Sequence, residues 1–521
     1  MKYYAGYSFK LVVVLLLVLV AINGCAGKKT TFKKSIVNIN SSKPKDEILA
    51  KNLISKAYAH YLRGLLYEKQ NKVAEAINEY NRAADYDRNS PTICIKLGTA
   101  YFKKGDFDSS IEQLKKVLEI DPENIKVRLL LGVIYTAFGN FHEAAILYDE
   151  VIRREPENTQ AKLSIADLYV LEQKVDKAIL VYEELALEDI PLPYVYFNLG
   201  MLYTQLNKYE KALSSLEKTL SLEPNYLEAY LGLGLVYELK NEIENSRQAY
   251  EKAIKLKPKS ALAYFRLGQM YVNRDLFDKA LEQFKKVLEI NPRVIDAYFE
   301  IAHIYLKQDK NEEAIEILVS AEPLLQDKSR LYLLMGLAYG LKEDFQKAEE
   351  YYNETIKLTP EDDLVYFYLG AMYEKQGKRE LAKAQFLKTI EINPNNAEAC
   401  NYLGYIYAED GLNLKQAENL IKKALEIEPN NGAYLDSLGW VYFKQGNFEE
   451  ALKFLKKATA VLDTDSVIHD HLGDAYLKKG LENKARIHWK KSLEINPVQK
   501  SVQEKLDALN MGNSAAGNTK K

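Results

Sequence analysis

The chain has 521 residues, of which 28% are charged and 47% are hydrophobic, and its formal net charge is −2. Such nearly balanced charge excludes a broad basic surface, so the composition predicts no binding to nucleic acid through the phosphate backbone. Length alone would suggest several globular domains, but a strict internal period replaces that expectation.

The N-terminal segment resembles the signal peptide of a bacterial lipoprotein. Two lysines precede the twelve-residue apolar run Leu11–Ile22. Twelve helical residues rise about 18 Å, too little to cross a hydrocarbon core of about 30 Å, so the run fits a signal peptide better than a membrane span. Ile22-Asn23-Gly24-Cys25 is similar to a lipobox. The resemblance implies removal of residues 1–24 and lipidation of Cys25; ordinary cleavage and an uncleaved anchor are the alternatives.

Residues 25–45 are predicted to be the lipidated cysteine and a flexible tether. The tether is rich in Lys, Ser, Asn and Thr and has no periodic apolar positions. Several acyl chains, each methylene contributing about 0.8 kcal/mol, would anchor the protein stably to a membrane. Ala26 follows the cysteine, where an inner-membrane retention signal would place Asp. By resemblance to sorted lipoproteins, the expected location is the bacterial cell envelope, at the periplasmic face of the outer membrane.

From residue 46 to residue 499 one pattern recurs every 34 positions, thirteen times. A glycine or alanine is followed three residues later by a tyrosine, and twelve residues later by a small residue in nearly every unit. Apolar residues fall at helical spacing in two stretches per unit, and a proline usually closes the unit. Each unit is therefore a predicted helical hairpin. The eleventh has one extra residue near Gly411, in the turn of its hairpin.

This pattern resembles the tetratricopeptide repeat. The hairpin around Gly268 carries it in full: Tyr264, Leu267, Gly268, Tyr271, Ala280, Phe284 and Pro292. The resemblance implies an all-α fold, a right-handed α-solenoid superhelix of about 13 helical hairpins. We expect residues 500–510 to form a helix that caps the last hairpin, and residues 511–521 to be disordered.

No motif for catalysis or for a cofactor is present. The chain has no Gly-rich phosphate loop, His-Glu-x-x-His, Gly-x-Ser-x-Gly or Cys-x-x-Cys, and the repeats leave no room for a catalytic domain. The sequence therefore predicts a non-enzyme without cofactor or metal. His469 and His471 lie near Asp470, Asp474 and His488, but their side chains point about 200° apart on a helix and cannot share a metal. We interpret His469 as a core residue and place His471 and His488 near the surface or a helix joint.

The family resemblance implies that two positions of each hairpin line a concave groove, three residues before and one residue after the glycine. In the middle repeats the first of these positions is apolar, which predicts a weaker partner-binding surface. Its aromatic members are Phe197, Phe265, Phe299 and Phe367. Tight packing between neighbouring repeats is the alternative explanation.

From the eleventh repeat onward the same positions become polar, acidic and aromatic. They are Asn401, Tyr405, Asp436, Trp440, Asp470 and Asp474. Asp436 and Trp440 are spaced i,i+4, as are Asp470 and Asp474, so each pair lies on one helix face. Since buried packing rarely selects Asp, these residues are the predicted partner-binding groove, suited to a basic segment or an amino terminus. The family's Lys/Asn clamp for a carboxylate is absent.

The C-terminal third also resembles a group of bacterial periplasmic repeat lipoproteins, through Leu435–Trp440, Ile468–Asp474 and Trp489. One type in that group is an outer-membrane scaffold that binds a carboxyl-terminal processing protease and helps it degrade peptidoglycan hydrolases. The resemblance implies a non-catalytic scaffold for envelope proteins, such as a protease or cell-wall hydrolase. Two alternatives are an assembly factor for an exopolysaccharide or pilus secretin machine, and a peptidoglycan or polysaccharide binder using Trp440 and Tyr405.

Overall fold

A computed structural model describes residues 44–188 and 192–517. The predicted signal peptide, Cys25 and nearly all of the tether lie outside these residues. The regular secondary structure of the described part is helical, and the chain divides into two compact units, Met1–Pro258 and Lys259–Lys521. Within the described residues, no helix combines the length and hydropathy needed to cross a membrane.

The described part of the first unit forms six helical hairpins. Their helices are α1 (Pro44–Lys69), α2 (Val73–Tyr86), α3 (Pro91–Lys104), α4 (Phe107–Ile120), α5 (Ile125–Phe138), α6 (Phe141–Arg154), α7 (Thr159–Leu171), α8 (Val175–Ala186), α9 (Pro193–Gln205), α10 (Tyr209–Leu222), α11 (Leu227–Leu239) and α12 (Ile243–Leu256). In each hairpin the two helices pack against each other, and within this unit the second helix of one hairpin also packs against the first helix of the next.

The described part of the second unit forms seven hairpins, a short 3₁₀ helix (Glu322–Leu324) and a final helix. Its α-helices are α13 (Ala261–Val272), α14 (Phe277–Ile290), α15 (Ile295–Lys307), α16 (Asn311–Ala321), α17 (Ser329–Leu341), α18 (Phe345–Leu358), α19 (Asp363–Lys375), α20 (Arg379–Ile392), α21 (Ala397–Glu409), α22 (Leu414–Ile427), α23 (Gly432–Lys444), α24 (Phe448–Val461), α25 (Ser466–Lys478), α26 (Glu482–Ile495) and α27 (Lys500–Gly517). The predicted all-α fold of stacked hairpins is confirmed.

The two helices of a hairpin approach each other closely at the glycine position, which explains why a small residue recurs there every 34 positions. A Cβ atom on Gly473 would lie 2.5 Å from the Trp489 ring, so no larger residue fits there. The turn of each hairpin contains a residue in the left-handed conformation seven positions after the glycine position, for example Gly105 with φ of 84°. In the eleventh hairpin both Gly411 and Asn413 have positive φ, which accommodates the extra residue predicted there.

The final helix α27 extends further than the sequence predicted. Its apolar side chains Val502 and Leu506 are buried against the last hairpin, as expected of a capping helix. The helix does not stop at residue 510 but continues to Gly517. Seven residues assigned by sequence to a disordered tail, 511–517, are therefore helical.

Candidate protein-binding site at the C-terminal end

Asp436 of the predicted groove is buried and bonded to a histidine from the next hairpin. Nδ1 of His471 lies 2.9 and 3.0 Å from the two carboxylate oxygens of Asp436. Burial alone would lower the pKa of His471, but the Asp436 carboxylate, helped by Asp470 and Asp474, raises it above its ordinary value. His471 is only 5% exposed, so it does not lie near the surface; it lies at the joint between α25 and α23, the other position predicted for it. Sequence spacing could not show that the buried carboxylate of Asp436 on the neighbouring hairpin contacts His471.

Trp440 belongs to the same cluster, and neighbouring rings stack on its indole. The indole stacks on His471 with ring centroids 3.9 Å apart and on Phe443 with centroids 4.7 Å apart. Its Nε1 donates a hydrogen bond of 2.6 Å to Glu409, and only 8% of the residue is exposed. Trp440 therefore organises the interior of α21, α23 and α25 in this conformation and does not present an open ring face.

Tyr405 and Asn401 lie on α21 beside this cluster and are partly buried. The Tyr405 ring is 6.4 Å from that of His471, and burial together with Glu409 and Asp436 raises the pKa of its hydroxyl. The side-chain oxygen Oδ1 of Asn401 is buried and accepts no hydrogen bond from the described part of the chain. An unsatisfied buried acceptor is costly, so Asn401 retains the capacity to accept a bond.

Asp470 and Asp474 form a second acidic pair, and the two carboxylates share one counter-charge, Lys505 of the capping helix. Nζ of Lys505 on α27 lies 2.8 Å from a carboxylate oxygen of each aspartate. Asp474 also accepts a hydrogen bond of 3.1 Å from Nε1 of Trp489. Burial raises the pKa of Asp474, while Lys505 opposes that rise. The acidic end predicted for a basic partner is thus occupied by a lysine of the same chain.

A pocket of about 480 Å³ lies directly beside Lys505, and we call it the C-terminal pocket. Its lining residues are Phe443, Asp474, Leu477, Lys478, Trp489, Lys505, Ala508 and Leu509. Leu477 and Lys478 are exposed, whereas Trp489 is 1% exposed and forms part of the lining from within the core. Apolar surface with a few charged groups at its border is the composition expected of a site that binds a side chain of another protein.

The four phenylalanines of the predicted apolar groove differ in their surroundings. Phe299 and Phe367 are buried, at 4% and 8% exposure. Phe197 and Phe265 are partly buried, and they contact the rings of Tyr226 and Phe284 at centroid distances of 5.3 and 5.4 Å. Packing between repeats therefore accounts for Phe299 and Phe367, while the other two retain accessible surface.

His469 and His471 of the last hairpin are buried, and His488 is partly buried. His469 is 2% exposed, as predicted for the large residue of its hairpin, and its Nδ1 lies 3.1 Å from Nδ1 of His488. Burial and the neighbouring His469 lower the pKa of His488. Within the described ranges, no group of three or more His, Cys, Asp or Glu side chains is arranged to hold a metal ion.

Asp167 in the first unit was not predicted from the sequence as a site residue. It lies one residue after Ala166, just as Asp474 lies one residue after Gly473. It is 4% exposed and accepts hydrogen bonds from the hydroxyls of Tyr182 and Tyr194, the latter at 3.0 Å. Burial raises its pKa from 3.8 to about 6. The signal was available, since the position after the glycine is the same one that singled out Asp474.

Family models for the tetratricopeptide repeat match residues 64–105, 91–124, 329–362, 365–396 and 407–472. A model described as the C-terminal domain of cilia and flagella-associated protein 70 matches residues 111–326. No curated protein sequence matches the chain significantly.

Three solved structures are similar to the chain at low sequence identity. One is the APC/C hetero-tetramer Cut9-Hcn1, with 14% identity, a TM-score of 0.46 and coverage of 90% of this chain and 99% of that chain. A tetratricopeptide repeat protein from Parabacteroides merdae ATCC 43184 has 23% identity, a TM-score of 0.41 and coverage of 48% and 98%. Yeast Tom70 has 19% identity, a TM-score of 0.35 and coverage of 89% and 96%.

Proposed function

The chain is built from tetratricopeptide repeats, and from this premise we propose that it is a non-catalytic, lipid-anchored scaffold that binds proteins of the bacterial cell envelope. Proteins of this repeat family generally mediate protein–protein interactions. The observation that carries the proposal is the C-terminal pocket, which has an apolar lining next to the Asp470–Asp474–Lys505 cluster. It offers one partner a place for an apolar side chain beside charged groups.

The anchor and the location rest on the N-terminal sequence. Leu11–Ile22 followed by Asn23-Gly24-Cys25 supports export and lipidation, and Ala26 supports sorting to the outer membrane. A protease and its substrates, or a cell-wall hydrolase, are the partners that we propose for the scaffold. Holding two of them on one molecule would raise their effective concentration to about the millimolar range without any chemistry by the scaffold itself.

The polysaccharide alternative is less well supported by the geometry. Sugar binding by an indole needs an open ring face, whereas Trp440 is 8% exposed and stacked on Phe443 and His471. Asp436, which would bond sugar hydroxyls, is engaged by His471. No contact of the described residues favours the export-machine alternative over the scaffold.

Replacing Cys25 by Ser tests the anchor. We expect the wild type to take up a labelled fatty acid and to sediment with outer membranes, and the Cys25→Ser variant to do neither. Continued membrane association of the variant without label would show that the N-terminus anchors the chain in another way.

A pocket variant tests partner binding. Leu477→Glu places a charge at the rim of the C-terminal pocket, and Leu341→Glu, at an exposed leucine of α17, is the matched control. After cross-linking in the envelope, we expect a protease or hydrolase to be recovered with wild type and with Leu341→Glu, and to be lost with Leu477→Glu. Equal recovery with both variants would place the partner elsewhere.

A further inference from the structure

The first hairpin exposes a face that the later hairpins bury. Leu66, two residues after Gly64, is 55% exposed. At the same position the twelve later hairpins have residues that are at most 6% exposed: Ala100, Ile134, Leu168, Leu202, Val236, Met270, Ile304, Ala338, Met372, Ile406, Val441 and Ala475. Each of those follows another hairpin, whereas the described part of the chain holds no hairpin before α1.

The exposed face is apolar over more than three helical turns. Ile54, Tyr58, Leu62 and Leu66 are spaced i,i+4 on α1, and Ile54 and Leu62 are 54% and 46% exposed. We call this surface, together with Arg63, the N-terminal stripe. Apolar side chains at such spacing are usual where a helix packs on a helix, and the face continues the one that the other hairpins use inside the stack.

Arg63 makes this face unlike the others. It stands one residue before Gly64, where the later hairpins have Leu, Ile or Met, none more than 7% exposed. Arg63 is exposed, and it interacts electrostatically with the Glu79 carboxylate of α2, which is itself bonded to His60 and Arg82. Lys56 and Lys69 on the same helix are also exposed. An occupant of the face therefore needs apolar side chains together with a carboxylate for Arg63.

The chain itself does not provide such an occupant. Residues 1–45 contain no Asp or Glu, so the preceding segment has no side-chain carboxylate to offer. The C-terminal helix α27 exposes Gln503, Glu504, Asp507 and Ala508, which offer charge without a large apolar side chain. Two copies whose α1 helices crossed at Arg63 would bring the two guanidinium groups together, a like-charge contact that disfavours this pairing.

We propose that the N-terminal stripe binds an acidic amphipathic helix of another protein, with apolar residues on Leu62 and Leu66 and a carboxylate on Arg63. This inference rests on the proposed scaffold function only in that it gives the scaffold a second partner. The stripe and the C-terminal pocket lie on different units, so each can be tested while the other is left intact.

The test uses the full chain and two synthetic helical peptides, identical except that one carries Glu and the other Lys beside leucines at i,i+4 spacing. We expect fluorescence anisotropy to show binding of the Glu peptide, and Arg63→Glu to weaken it by about tenfold or more and to restore binding of the Lys peptide. Leu66→Ser should weaken binding of either peptide. Arg293→Glu, an exposed arginine before α15, has the same net charge as Arg63→Glu and should bind like wild type.

Several results would overturn the proposal. Equal binding of both peptides would show that Arg63 recognises no charge. Binding of phosphatidylglycerol vesicles that is lost in Arg63→Glu, without peptide binding, would make the stripe a lipid surface. A dimer that sedimentation shows to dissociate on Leu66→Ser would make a second copy the occupant. Loss of peptide binding in Leu477→Glu would also contradict it, whereas loss of the envelope partner alone in that variant bears only on the C-terminal pocket.

Discussion

Two hairpins place an aspartate at the same position, buried in the first unit and partly buried in the second, and surround its charge with different groups. Asp167 in the first unit and Asp474 in the second each follow the glycine position of their repeat, and each is contacted by the large ring sixteen residues after that position. That ring is Tyr182, which donates its hydroxyl hydrogen, in one case and Trp489, which donates its Nε1 hydrogen, in the other. The repeat frame thus determines the first contact of both carboxylates.

The second contact separates the two sites. Asp167 receives another neutral donor, the hydroxyl of Tyr194, and the pKa of its carboxyl rises to about 6. Asp474 receives the ammonium of Lys505, which is shared with Asp470. A carboxylate bonded only by neutral groups in a buried site is costly to ionise, whereas a cation offsets part of that cost. One frame position therefore carries a proton-binding site in one unit and an ion cluster in the other.

The largest expected effect is the loss of the ring that both sites share. Tyr182 and Trp489 are both fully buried, at 0% and 1% exposure. We expect Tyr182→Ala and Trp489→Ala each to lower the free energy of unfolding by about 3–5 kcal/mol, because each leaves a cavity and removes a donor to a buried carboxylate. Hydrogen exchange in α7–α9 and in α25–α27 measures this locally. A loss confined to one of the two variants would show that the contacts are not equivalent.

Removing the cation from the second site should cost less. Lys505→Met retains most of the aliphatic chain but leaves Asp470 and Asp474 without a counter-charge, and we expect a loss of about 1–3 kcal/mol since the lysine is partly exposed. The double variant Asp474→Asn/Lys505→Met should recover part of that loss. Lys500→Met on the same helix is the control and should change stability by less than about 0.5 kcal/mol. No recovery in the double variant would mean that Lys505 acts through packing alone.

Both aspartates have a raised pKa, so their ionisation costs stability at each site, and we expect the larger cost at Asp167, which has no cation beside it. A pKa raised from 3.8 to about 6 means that the folded state holds the Asp167 proton more tightly than the unfolded state. The stabilisation is therefore complete below pH 3.8 and is lost as the pH rises through about 6. At pH 8 we expect Asp167→Asn to raise the free energy of unfolding by about 1–2 kcal/mol. Asp474→Asn should raise it by less, because the pKa of Asp474 is also raised but Lys505 favours its charged form. Urea titrations at pH 4 and pH 8 measure both; an equal effect of Asp167→Asn at the two pH values would contradict the raised pKa.

The repeat frame could be predicted from sequence because it follows from local sterics. The glycine, the small residue twelve positions later and the turn residue each satisfy a requirement within a single hairpin, as Gly473 under Trp489 illustrates. The change to polar residues from Asn401 onward could also be predicted, because it appears when the repeats are aligned on their glycine positions.

The partners of the polar residues could not be predicted in the same way. His471 meets Asp436 from the next hairpin, and their pairing depends on how two hairpins pack rather than on spacing within one. Lys505 comes from α27, which lies outside the repeat, so no frame position assigns it to Asp470 and Asp474. Residues expected to face a partner consequently turned out to contact one another.

The smallest effect concerns His471, and it tests whether the second unit also contains a proton-binding site. The chain has two tryptophans, so Trp489→Phe leaves Trp440, stacked on His471, as a single fluorescent reporter. Because Asp436 raises the pKa of His471 above its ordinary value, its charged form should persist to higher pH than in an exposed histidine and quench the indole, and emission should rise as His471 loses its proton. The same sign applies to stability, which is full below pH 6.5 and falls as His471 loses its proton. His471→Gln in the same background should abolish the transition. A midpoint below 6.5 would mean that burial outweighs Asp436, and that proton binding of the kind seen at Asp167 is confined to the first unit.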